Sequence, residues 1–200
     1  MVHHVCVFSF FRIDSYGPAR ILHLTSLDDT NRLTRACVLA LTATFAEQEE
    51  QPRPLIIAGN PQFFSVGADL NEIAALTAAE AYEFSVLGQK MMNAIAGYPA
   101  AVIAAIEGHC MGGGLDLALA CHRRIAAPSA VFGHRGAALG LMTGWGGTQR
   151  LPRLIGKGRA MELFIAAQRI PAGQALEIGL VDAIAADPVA EALRQIQPAQ

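Results

Sequence analysis

Two short runs of wholly apolar residues, Leu55 to Ala58 and Ala101 to Ile106, constrain this chain more than any other feature. A strand with no polar side chain on either face must be covered on both, and such strands belong to parallel sheets flanked by helices. Neighbouring residues supply those helices. Arg20 to Ser26 has β-character, with Ile21, Leu22 and Leu24, and runs into the Asp28-Asp29-Thr30-Asn31 cluster, a turn and helix-cap signal. From Leu33 to Phe45, the apolar positions Leu33, Val38, Leu41 and Phe45 recur at roughly helical spacing, and Glu47, Glu49, Glu50, Pro52 and Pro54 close the segment. A strand, a helix and a strand within about forty residues predict a right-handed parallel crossover.

A second crossover follows. Thr77 reads as a helix N-cap with Glu80 three residues on, and the segment to Ile95 carries Tyr82, Phe84, Leu87 and Met91 or Met92 along one side. Ala101 to Ile106 then leads through Gly108 and the run Gly112-Gly113-Gly114 into an apolar helix from Leu115 to Cys121. Short strands are expected around Arg124 to Ala126 and Ala130 to Phe132. Helices are expected near Thr148 to Ile155, Gly158 to Ala167, Ala172 to Ile178 and Val189 to Ile196.

The 200 residues suit one sizeable core, and 52% hydrophobic against 16% charged residues excludes a disordered chain. Fifteen basic and seventeen acidic residues are mixed along the chain, so no phosphate-binding stripe forms and nucleic acid is not an expected partner. The apolar run Tyr98 to Ile106 is too short for a bilayer, so no membrane span is expected. Met1 to Phe11 is apolar but lacks a basic start and a small-residue cleavage site, which argues against export; His3 and His4 read as a solvated pair. Cys6, Cys37, Cys110 and Cys121 form no C-x-x-C pair, which fits a reduced cytoplasmic protein. The spacing of His109, Cys110, Cys121 and His122 fits no zinc pattern, so no metal site is expected.

Three stretches, taken together, resemble the enoyl-coenzyme A hydratase/isomerase (crotonase) superfamily: Phe64-Ser65-Val66-Gly67-Ala68-Asp69-Leu70, then Ile106 to Cys121, then Gly140 to Leu163. The last contains G-W-G-G-T-Q-R-L-P-R-L-I-G-K-G-R-A-M-E-L and is highly specific, and the resemblance extends from about Arg20 to Ile184. It implies an α/β fold, the crotonase (ClpP-like) spiral of repeated ββα units, here as a core over residues 1–185 with a short C-terminal helix or tail over 186–200. It also implies an acyl-coenzyme A thioester as substrate, no cofactor beyond that coenzyme A, and a homotrimer or hexamer.

The chemistry of these motifs follows from elementary electrostatics. A thioester enolate carries its charge on the former carbonyl oxygen, and preorganised N–H donors in a dry site stabilise that charge, each by about 3 kcal/mol of barrier. Glycine lets a backbone approach a ligand closely, and an N–H at a helix start adds the helix dipole. Gly113, just ahead of the Leu115 helix, has both properties. By resemblance, the two oxyanion-hole amides are those of Ala68 and Gly113, with Val66, Gly67, Asp69, Leu70 and Gly112 lying along the substrate. Asp69 also sits at a helix start, where capping is the expected role of its side chain. Asn71 stands where family members often carry a lysine.

The resemblance implies two catalytic glutamates for hydration, and this chain has neither. Asp116 occupies the first position and Gly136 the second. A carboxylate one methylene shorter still serves as a general acid or base, whereas glycine transfers no proton. Three readings follow. Asp116 acts alone on an α or γ proton, as in an isomerase; or His134, two positions from Gly136 and on the same face if the segment is a strand, supplies a second group; or catalysis is lost and thioester binding remains. The bland alternatives are a dipole-stabilised first-turn acid for Asp116 and a hydrogen-bonded contact residue for His134. Trp145 either lines the acyl pocket or packs at its turn, and Arg150, Lys157 and Arg159 read as solvated surface charges or intersubunit salt bridges, with one of them available to a coenzyme A phosphate.

The chain stops at Gln200, whereas members usually continue through helices that cover the acyl pocket, so an oligomer that supplies cover is expected. The expected function is an acyl-coenzyme A enzyme, a hydratase or double-bond isomerase. A non-catalytic acyl-coenzyme A-binding or assembly protein, and thioester hydrolysis or decarboxylation on the same oxyanion hole, remain as alternatives.

Overall fold

The computed structural model describes residues 6–8 and 10–196. The segment Met1 to Phe11 weighed above as a leader, with His3 and His4, lies largely outside those residues. The chain runs β1 (Cys6–Phe8), β2 (Phe11–Tyr16), β3 (Ala19–Leu24), β4 (Arg32–Leu33), α1 (Arg35–Gln48), β5 (Leu55–Ala58), β6 (Phe63–Ser65) and β7 (Gly67–Ala68). Next come α2 (Leu70–Ala74), α3 (Ala78–Ala96), β8 (Val102–Ile106), β9 (His109–Met111), α4 (Gly113–Ala120), β10 (Arg123–Ala126) and β11 (Val131–Gly133). A 3-10 turn at Gly136–Leu139 leads to α5 (Gly147–Ile155), α6 (Lys157–Ala166), β12 (Arg169–Pro171), α7 (Ala172–Glu177), β13 (Ala183–Ile184) and α8 (Pro188–Ile196).

The two apolar runs are neighbours at the centre of a seven-stranded sheet ordered β1-β2-β3-β5-β8-β10-β13. From β3 onward the strands are parallel, with Leu55 opposite Val102 and Ile56 opposite Ile103. Successive side chains point to opposite faces. Leu55, Ile57, Val102, Ala104 and Ile106 enter the main core, while Ile56, Ala58, Ile103 and Ala105 form a second cluster closed by Ala192 of α8, with Val189, Leu193 and Ile196 against it. Both faces are covered, as the sequence required, and each fully buried Leu or Ile contributes roughly 1.5–3 kcal/mol. A second sheet, ordered β12-β11-β9-β6, and the two-residue ladder of β4 with β7 lie apart from the first.

Several expectations need correcting. The first helix is capped by Thr34, whose side chain accepts from the Cys37 amide, because β4 intervenes between the Asp28–Asn31 turn and the helix. Tyr82 is 73% exposed; the buried side of α3 is Phe84, Gly88, Met91, Met92 and Ile95, and the predicted capping box of Thr77 with Glu80 is present. His134 and Gly136 do not share a strand: β11 ends at Gly133 and Gly136 starts the 3-10 turn, so the register offered for pairing them fails. Arg150 donates to the Trp145 carbonyl at 3.2 Å and to Asn93 at 2.8 Å.

Candidate active site

Two strand-to-helix turns converge on one cavity of about 490 Å³. The first is the β6–β7–α2 loop. Its entry is pinned by Asn31, whose Nδ2 donates to the carbonyls of Phe63 (2.8 Å) and Phe64 (3.2 Å), and by Ser65, whose hydroxyl donates to the Asn31 carbonyl and accepts from the Gly67 amide. Gly67 has φ of 91°, and a Cβ there would lie 2.7 Å from the Met111 carbonyl oxygen and against the Gly113 nitrogen. No other residue type allows this approach.

The second turn is Gly112 at the head of α4. Its φ of 52° and ψ of −121° suit glycine alone, and they swing the chain from β9 into the helix. Gly113 is the first helical residue, so its N–H has no acceptor within the helix and sits at the positive end of the dipole. A Cβ built on Gly113 would be 3.2 Å from the Ala68 nitrogen, so the Gly113 backbone packs against the Ala68 amide, and both residues line the cavity.

Asp116 follows Gly113 by three residues and therefore lies on the same side of α4. It is 1% exposed, and both oxygens are engaged: Oδ1 with Nε2 of His134 at 3.1 Å, and Oδ2 accepting from the hydroxyl of Thr143. Which of the two donates in the Oδ1–Nε2 contact is set by the tautomer of the imidazole ring. The His134 ring packs edge-on against Phe164 at 5.3 Å. Gly147 makes room for the carboxylate, since a Cβ there would overlap Oδ1. Burial, with smaller contributions from Cys121 and Asp116, pushes the neighbouring Cys110 thiol well above its usual range. Burial likewise lowers the Arg150 guanidinium, an effect that Asp116 opposes.

Of the residues singled out from sequence, Val66, Ala68, Leu70, Gly112, Gly113, Asp116, His134, Gly136 and Trp145 line the cavity. Gly67 instead supports the loop from behind. The Asp69 side chain caps α2, accepting from Asn71 and Glu72, and pairs with Arg32 at 3.4 Å, so it does not face the cavity. Glu72 accepts from the Arg35 amide at 2.8 Å. Sequence reasoning missed Thr143, which adjoins the recognised G-W-G-G-T motif but carries no signal of its own. Met111, Leu141 and Met142 complete the apolar wall. Among the described residues no group of three or more His, Cys, Asp or Glu is arranged to hold a metal, and no helix is long and apolar enough to cross a membrane.

Fold and site define a class: an α/β protein with two backbone amides from neighbouring turns beside a buried carboxylate, inside an apolar cavity. A family model described as enoyl-CoA hydratase/isomerase matches residues 21–197, and the chain belongs to that family, the crotonases. Solved structures agree. The chain is 34% identical to an enoyl-CoA hydratase from Bacillus anthracis over 94% of this chain and 75% of that one, with a TM-score of 0.88. It is 32% identical to Pseudomonas aeruginosa DspI over 94% and 74%, with a TM-score of 0.90. An enoyl-CoA hydratase from Thermoplasma volcanium is 32% identical over 94% and 76%, at 0.89.

Proposed function

We propose that this protein binds an unsaturated acyl-coenzyme A thioester and shifts its double bond through an enolate. The observation that carries this reading is the sharing of one apolar cavity by the amides of Ala68 and Gly113 and a single carboxylate, Asp116. In the proposed step an Asp116 oxygen takes a proton from the acyl α-carbon. The electron pair moves onto the thioester oxygen, which the two amides stabilise by roughly 3 kcal/mol each. The protonated carboxyl then returns its proton to the γ-carbon and the double bond moves into conjugation. Atoms and charge balance with one acid–base group, and the shift is redox-neutral, so coenzyme A enters only as part of the substrate.

Gly136 carries no carboxylate, which disfavours hydration by two acids. Hydration is the second reading, because His134 is hydrogen-bonded to Asp116 and lines the same cavity. In that case Asp116 and His134 together orient and deprotonate a water.

Incubation of the purified protein with a 3-enoyl-coenzyme A and, separately, with crotonyl-coenzyme A distinguishes the readings by thioester absorbance and product mass. Growth of the conjugated absorbance without added mass supports isomerisation. Loss of crotonyl absorbance with the mass of one water supports hydration. Thioester binding without turnover on either substrate points to a binding or assembly protein.

A homotrimer or hexamer accompanies this reading, supported by Met161 and Ile165 on α6, which are 61% and 69% exposed. A monodisperse monomer in light scattering counts against it.

A further inference from the structure

Trp145 occupies a space that two glycines leave for it. Its indole is 5% exposed, and its pyrrole edge lies so close to Gly88 of α3 that a Cβ there would overlap Cδ1 and Nε1. The benzo edge covers Gly113, where a Cβ would come within 2.6 Å of Cζ3 and 2.9 Å of Cε3. Nε1 donates to the Phe84 carbonyl at 3.3 Å, and the Phe84 ring meets the indole edge-on at 5.3 Å. Backbone bonds fix the residue further: its amide donates to Thr143 Oγ1 and its carbonyl accepts from Arg150.

Gly88 is telling because it stands well inside the 19-residue helix α3, where it makes no turn. Glycine is a poor helix former, so its use there is to leave room, and what fills the room is the indole. The ring thereby spans from α3 to the first turn of α4 and forms the cavity wall immediately beside the Gly113 amide.

We infer that Trp145 limits acyl-chain length. The indole closes the passage between α3 and α4, so an acyl group whose carbonyl rests on Ala68 and Gly113 ends against the ring, and the protein selects short-chain thioesters. This inference rests on the acyl-thioester reading of the site. The wall is fixed rather than yielding, because displacing the ring breaks its bond to the α3 backbone and its edge-on contact with Phe84.

The test compares wild type, Trp145→Phe and Trp145→Ala in binding and turnover of straight-chain enoyl-coenzyme A esters from four to twelve carbons. Wild type should favour the shortest. Trp145→Ala should shift the preference toward longer chains, by about tenfold for every two carbons newly accommodated. Trp145→Phe should shift it less, and it carries the comparison should the alanine variant be unstable. Melting curves check the packing: Gly88→Ala should lower Tm alone and have little effect in the Trp145→Ala background. A length profile unchanged by both variants, or a wild type indifferent to length, overturns the inference while leaving the acyl-thioester reading intact. A wild type that binds no acyl-coenzyme A of any length overturns both.

Discussion

Nε2 of His134 lies 3.1 Å from Oδ1 of Asp116, and the two residues are only 5% and 1% exposed. One stands in the first turn of α4, the other just beyond β11. His134→Phe should fill the same space beside Phe164 but leave Asp116 with Thr143 alone. Loss of one partner from a buried polar pair costs roughly 1–3 kcal/mol. Denaturant unfolding should therefore register a loss of that size, and kcat should fall more than KM rises. Unchanged stability would mean that the pair contributes nothing net.

Asp116→Asn keeps the shape of the side chain and an oxygen for Thr143, but removes the base. Turnover should drop by at least about a hundredfold, the scale of general acid–base catalysis. Acyl-coenzyme A affinity should stay within a few-fold of wild type by calorimetry. Full retained turnover would remove Asp116 from the mechanism.

Thr143 lines the cavity and donates its hydroxyl to Asp116. Thr143→Val keeps the volume and deletes the hydroxyl, so kcat should fall by about tenfold with little change in KM. Thr143→Ser should restore kcat. A serine variant as impaired as the valine one would assign Thr143 to packing instead.

Gly67→Ala adds a Cβ at φ of 91°, pressed against the Gly113 nitrogen and the Met111 carbonyl. The β7 backbone must move, carrying the Ala68 amide with it. Turnover should fall by about a hundredfold or more, as on loss of one oxyanion donor. A melt and far-UV spectrum close to wild type would separate this local effect from unfolding.

Acid sensitivity should trace in part to Asp28. The Thr30 and Ser26 hydroxyls, with further help from the Thr30 amide and Arg32, lower its carboxyl from 3.8 to about 2. A depressed carboxyl favours the fold above its unfolded value and loses that contribution as pH falls toward the folded one. Asp28→Asn should thus lower Tm near neutral pH, and the gap to wild type should narrow steadily from about pH 4 downward. A constant gap would contradict this linkage.

The crossovers were legible because their strands are apolar on both faces and their helices carry apolar residues at helical spacing. The Leu55–Ala58 strand, the Thr77 capping box and the α8 segment all fall as read. β6, β9 and β12 were not legible, since three-residue strands flanked by glycine and polar residues carry no periodicity, and their pairing is set by contacts far along the chain. The same holds for Tyr82, whose apolar ring joins the stripe in sequence yet points away from the core.

The residue types at the site were fixed by sequence alone: two glycine turns able to present amides, one carboxylate a helical turn beyond, and no second acid at Gly136. Tertiary structure alone decided who meets whom. Asp116 finds His134, Thr143 and the glycine gap at 147, while Asp69 turns away to cap α2. Trp145 finds Gly88 from 57 positions away in the chain. Local backbone chemistry is written in neighbouring residues and can be read there. The partner of a buried carboxylate or an indole is selected by packing and hydrogen bonding among elements distant in sequence, which only the folded chain brings within ångströms of one another.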